Sequence, residues 1–136
     1  MMVRIAFVLL ASTGLCAQCD DIEVSARRAK HFSDVVFRGT VEEFRGSGAD
    51  RTAVFHVNRV WKGPVGPVFE MPAVETDGGL CTAFWRGLLV RGNELVVYAK
   101  HYPWARNREL LPLRSKSTLV TRAEDINQLG RGHKPK

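Results

Sequence analysis

Cys16 and Cys19 stand three positions apart in STGLCAQCDD, and Cys81 is the only other sulfhydryl residue in the chain. A Cys-x-x-Cys pair can be a redox centre, half of a metal site, or an accident of a processing seam. The redox form follows a strand and opens a helix inside a βαβ pattern, and no such strand precedes this pair. A zinc site needs a fourth ligand, and His31, His56 and His101 each stand alone without paired spacing. Adjacent carboxylates occur at Glu42–Glu43 and Glu124–Asp125. Neighbours on a strand point to opposite faces, so the first pair cannot share a site. The second reads as a helix surface. HExxH, GxSxG and Walker patterns are absent. The expectation is a protein without catalytic residues, resident metal or cofactor.

The segment before Cys19 sets the role of the sulfurs. MMVR carries one positive charge, IAFVLLA is a short apolar core, and STGLCA is rich in small residues. This is the build of a secretory leader. Cleavage after Ala17 or after Gly14 fits, and the first is preferred. Neither Leu15 nor Gln18 is a small residue placed directly before a cysteine, so lipid attachment is not expected. Removal of residues 1–17 takes Cys16 away, and an oxidising compartment would join Cys19 to Cys81. That bridge closes a loop of about 60 residues, worth about 4 kcal/mol in the chain-entropy picture. The product would be secreted or periplasmic. No apolar run reaches the roughly 18 residues that span a bilayer.

The chain has 136 residues, one domain's worth, with 45% hydrophobic residues and a formal net charge of +6. The positive balance favours acidic partners without choosing among them. One stretch, KHYPWARNR at 100–108, mixes aromatic and basic side chains, and Lys100, Tyr102, Trp104 and Arg106 are its candidate contact residues. Trp61, Phe55, Trp85 and Tyr98 complete the aromatics that could stack on bases in a nucleic-acid binder. Phe55 and Trp61 share strand parity and read as core.

The elements that must position these residues follow from hydrophobic period. DDIEVSARRAKHF, 20–32, predicts a helix capped at Asp20, with Ile22, Ala26, Ala29 and Phe32 inward and Arg27, Arg28 and Lys30 solvated. Strands are predicted over 33–44, with a bulge at Gly39, and over 51–63, 68–71, 93–102 and 109–113. TRAEDINQLG, 121–130, predicts a second helix with a Thr121–Glu124 capping box, and 131–136 a basic disordered tail. Helix, five short strands and helix predict a small antiparallel barrel of the oligomer-binding (OB) type spanning 18–130.

SDVVFRGTV, FHVNRVWKG, a cysteine in a loop, ELVVYAK and a closing AEDINQLG occur in that order after an N-terminal cysteine. This succession resembles the bacterial relatives of the tissue inhibitors of metalloproteinases, the netrin-like OB-fold group, over nearly all of the mature chain. The resemblance implies a disulfide-locked barrel and an extracellular or periplasmic protein partner, with metalloproteases as the class it names. It also implies that Gln18 and Cys19 lie at the contact. In that family a leading cysteine chelates the protease zinc through its free amine and carbonyl. Here the pair is Cys-x-x-Cys, Gln18 precedes Cys19, and Arg114 and Ser115 occupy the region of a late family cysteine. The expectation is a non-catalytic binding module, with a polyanion- or nucleic-acid-binding OB-fold as the alternative. An exported protein meets little nucleic acid.

Overall fold

A computed structural model describes residues 24–105 and 109–136. Helix α1 (Ala26–Phe32) is followed in chain order by β1 (Val35–Arg45), β2 (Thr52–Lys62), β3 (Val68–Pro72), β4 (Glu75–Thr76), β5 (Phe84–Trp85), β6 (Glu94–His101), β7 (Leu110–Pro112) and β8 (Thr118–Leu119). Six of these strands make one antiparallel sheet in the order β3-β2-β1-β6-β7, with β8 also paired to β6. β4 and β5 form a separate parallel pair. The fold is mainly β, as the sequence predicts.

The predicted five-stranded barrel does not close. β3 pairs on β2 and β7 pairs on β6, and among the described residues no ladder joins the two ends. β7 is three residues long and carries Pro112, which has no N–H to donate. The connection between β3 and β6 fills the open side instead. It sends Phe84, Leu88 and Leu89 into the core, and it is tied to β1 by Gly92 N–H to Val41 O (2.8 Å) and Val41 N–H to Asn93 O (2.9 Å).

Both faces of the sheet are buried, by different partners. One face carries Val35, Phe37, Val41, Ala53, Phe55, Val57, Val60, Met71, Leu95 and Val97, covered by Phe84, Leu88 and Leu89. The other carries Val36, Trp61, Val96 and Tyr98, covered by Ala26 and Ala29 of α1 and by Leu129. The predicted shared side of Phe55 and Trp61 fails at this point. The β1–β2 register shifts at Arg38/Gly39, where the sequence places a bulge, and the pairing runs Arg38↔Arg59 then Gly39↔Val57. One extra β2 residue, Asn58, reverses the alternation, so Phe55 faces one layer and Trp61 the other. Gly39 tolerates the crowding: a Cβ there would lie 3.1 Å from His56 O.

The predicted flanking helices are shorter than the sequence suggests. α1 begins at Ala26, and the predicted cap Asp20 and inward Ile22 lie outside the described residues. Ser25 Oγ accepts the Arg28 amide (3.2 Å) and Asp125 Oδ2 accepts the Ala26 amide (2.9 Å). At its other end the Lys62 ammonium donates to the carbonyls of Lys30 (2.9 Å) and His31 (3.1 Å). Phe32, predicted inward, is half exposed. The predicted helix over 121–130 is two 3-10 turns, Val120–Arg122 and Ile126–Leu129, neither with a side-chain cap. Ile126 and Leu129 still pack inward, and Gly130 ends the second turn at φ 77°.

Where the sequence predicts a disordered tail, residues 130–133 run along the end of β2. His133 and Val60 exchange two backbone hydrogen bonds of 2.8 Å, Trp61 Nε1–H donates to Gly130 O (3.0 Å), and the Arg59 guanidinium donates to Arg131 O. Gly132, at φ 61°, is the only kind of residue that fits, since a Cβ would lie 2.6 Å from Val60 O.

Asp125 is the knot of this end. Burial alone would raise its carboxyl, but hydrogen bonds from the Lys116 ammonium (2.6 Å) and the Ala26 amide outweigh that and hold it below the ordinary carboxylate range. In the unfolded chain the same carboxyl binds its proton more readily. The contact therefore contributes stability above the ordinary aspartate range and loses it as the pH falls through the folded value. Asp125→Asn is expected to cost about 1 kcal/mol at neutral pH and to flatten the acid limb of the stability curve, read by urea titration at several pH values. An unchanged acid limb would remove Asp125 from this role.

Candidate functional site

The residues singled out from sequence do not converge on one place. Gln18, Cys19 and Arg106 lie outside the described residues. Cys81 is disulfide-bonded, and its expected pairing with Cys19 falls outside them as well. Cys81 sits beside Arg114, whose amide donates to Cys81 O (3.1 Å), just past β7. Lys100, Tyr102 and Trp104 are at the other end of that strand, where His101 pairs with Leu110. The register thus separates the cysteine loop from the aromatic run by the length of β7.

The aromatic run is a small surface at the exit of β6. Alternation along β6 puts Lys100 on the same face as Val96 and Tyr98, the face that α1 covers. Tyr102 and Trp104 lie with ring centroids 5.3 Å apart, and Trp104 is 68% exposed. Burial, and after it the Asp34 carboxylate, push the Tyr102 hydroxyl above its ordinary pKa, so it stays protonated. The other aromatics considered for base stacking divide sharply. Phe55, Trp61 and Tyr98 are buried, while Trp85 and Trp104 reach solvent. A stacking platform of several adjacent rings is therefore not assembled among the described residues.

The loop around Cys81 is the more built structure. Thr76 Oγ1, buried at the end of β4, accepts the amides of Gly78 (3.1 Å), Gly79 (3.0 Å) and Leu80 (3.2 Å). A threonine hydroxyl closing the turn that follows it is a local signal, and TDGG carries it. Arg114 is 5% exposed. Its guanidinium donates to Gly78 O (2.6 Å) and lies 4.5 Å from the Trp85 ring centroid. Arg86 pairs with Asp77 at 2.9 Å. The Thr76 hydroxyl and the Arg114 guanidinium tie residues 76–85 from the buried side, and the loop holds Leu80 51% and Trp85 40% exposed. Apolar side chains kept in water on a fixed backbone are what a protein partner buries first. Sequence reasoning noted Arg114 only as a place where a cysteine is missing. The structure shows that the same position ties the strand end to the cysteine loop without a sulfur.

One member of each adjacent carboxylate pair is taken up in an ion pair. Glu43 pairs with Arg45, and Asp125 with Lys116. Among the described residues no group of three or more His, Cys, Asp and Glu side chains is placed to hold a metal ion, and no helix is long and apolar enough to cross a membrane. No family model, curated protein or solved structure matches this chain.

Proposed function

We propose that the chain is an exported, non-catalytic binding module that docks an extracellular or periplasmic protein through the loop 76–86. The observation that carries this reading is the loop itself: Leu80 and Trp85 stand in solvent on a backbone fixed by Thr76 and Arg114. Preorganisation lowers the ordering cost of association, so a fixed apolar loop favours binding. The sequence resemblance to the netrin-like inhibitors agrees with this choice of surface, since it pairs Cys19 with Cys81 and brings the mature N-terminus to the loop. Cleavage after Ala17 leaves Gln18 in front of Cys19, and cyclisation of that glutamine removes a free amine. The module then binds without chelating a protease zinc.

Intact mass of the exported protein, with and without reduction, gives the first residue and the state of the thiols together. The expected mass starts at Gln18 and gains two hydrogens on reduction. Binding is read by surface plasmon resonance against a panel of secreted zinc metalloproteases, with hydrolysis of a peptide substrate followed in parallel. Leu80→Ser with Trp85→Ser is expected to weaken binding at least tenfold while leaving the melting temperature within a few degrees. Equal binding by that variant would overturn the loop as the contact. A start at Cys19 together with loss of peptide hydrolysis would replace plain docking by zinc chelation.

A further inference from the structure

We infer that the edge of β2 at Arg59–Trp61 is a peptide-binding site for a partner protein's Gly-x-Gly segment, and that residues 130–133 are its resident occupant. β3 covers this side of β2 as far as His56, with one further bond from the Val57 amide to Pro67 O (2.8 Å). Past that point the edge is taken by the chain's own tail. Val60 and His133 exchange two backbone bonds of 2.8 Å, the Trp61 indole N–H donates to Gly130 O (3.0 Å), and the Arg59 guanidinium donates to Arg131 O. Each of these bonds ends on a main-chain atom of the tail. Arg131, His133 and Lys134 are exposed, and Leu129 is the last buried residue before them. The edge therefore grips a backbone and reads sequence only where a side chain would collide. That place is Gly132, at φ 61°, where a Cβ would lie 2.6 Å from Val60 O and 2.9 Å from Trp61 Cδ1. Gly130, at φ 77°, sets the turn into the site.

Two features make the occupant replaceable. Solvent-exposed hydrogen bonds with no buried side chain beside them open far more often than the core does. An opened edge offers its unpaired N–H and C=O groups to an incoming backbone. Next to the tail lies a cleft of about 410 Å³, lined by Gly63, Pro64, Val65 and Gly66 of the β2–β3 connection and by His133 and Lys136. The tail borders this cleft without filling it. A partner segment with a large apolar residue after Gly-x-Gly gains burial there that His133 does not. That gain lets it displace a competitor whose tether holds it at high effective concentration. The site uses no residue of the loop 76–86 and stands independently of the reading above.

The test uses the full chain, its Gly132→Ala variant and a fluorescein-labelled peptide LGRGHKPK, the sequence of residues 129–136. The added methyl expels the tail, so the Val60 amide is expected to exchange with deuterium at least tenfold faster in the variant. By fluorescence anisotropy, the peptide is expected to bind this opened variant at least tenfold tighter than the unmodified chain. Its binding is expected to return the Trp61 indole N–H resonance to its position in the unmodified chain. Gly132→Ala in the peptide is expected to abolish binding, and His133→Leu in the peptide to tighten it at least threefold. Equal binding to both proteins, no binding to the variant, or an alanine peptide that binds as well would overturn the site. So would a Val60 amide that stays protected in the variant. Weaker binding of the leucine peptide would overturn the cleft as a second contact. Concentration-dependent dimers of the unmodified chain would overturn the partner and put a second copy in its place.

Discussion

Replacing Phe55 with alanine is expected to destabilise the fold by about 3–5 kcal/mol, the usual loss for a large aromatic removed from a packed interior. Phe55 is fully buried in the middle of β2. Its ring meets Phe37 edge-on at 5.4 Å and Phe84 at 6.2 Å, and Phe37 in turn meets Phe69 at 5.2 Å. It therefore joins three strands of the sheet to the connection that fills the open side. Edge-to-face pairs add to area burial, so the loss includes geometry as well as transfer. Domains of this size are stable by only about 5–15 kcal/mol, so the variant should be largely unfolded at modest urea. Val68→Ala on the neighbouring strand, where Val68 is mostly exposed, is the matched control and should stay within about 0.5 kcal/mol. A Phe55→Ala loss below about 1 kcal/mol in equilibrium urea unfolding would contradict the packing described here.

Arg114→Ala is expected to release the loop 76–86 and to cost about 1.5–3 kcal/mol, the range for hydrogen bonds made by a charged group. The substitution leaves Gly78 O without its 2.6 Å donor and uncovers the Trp85 ring. Lysine should not rescue it, because an ammonium cannot lie flat on an indole while reaching a carbonyl. The specific readout is limited trypsin digestion, with cleavage after Arg86 expected to accelerate about tenfold as the loop opens more often. Trp85→Ser should accelerate the same cut less, since the Arg114 guanidinium still donates to Gly78 O. Unchanged stability and an unchanged cleavage rate in Arg114→Ala would show that the loop is held by something else.

The strands were legible because their residue types repeat with period two and are bounded by glycine and proline. VVFRGTV, AVFHVNRV and ELVVYA become β1, β2 and β6 with ends displaced by at most two residues. The side that each residue faces was less legible. One extra residue at Asn58 exchanges the layers, and period-two reading cannot see a bulge on the partner strand. Barrel closure was illegible for a related reason. Whether edge strands meet depends on lengths and on what fills the gap, and Phe84, Leu88 and Leu89 come from a connection with no periodicity of its own. At the candidate site, Thr76 and the two glycines after it carried a turn signal, whereas Arg114 acts on Gly78 across 36 positions of chain. The bridge from His133 was illegible because RGHKPK is polar and short, and its partner, Val60, is far away in sequence.

The bonds that close the molecule join α1 and β2 to the segment 125–133. The Ala26 amide reaches Asp125 across 99 positions, Arg59 reaches Arg131 across 72, and Trp61 reaches Gly130 across 69. Contacts this distant in sequence are costly to form early and slow the search for the native state. A ribosome making this chain therefore releases a helix and a half-covered sheet that have no lasting mate until residues 125–133 have emerged. Residues 125–133 are the clasp that completes these contacts.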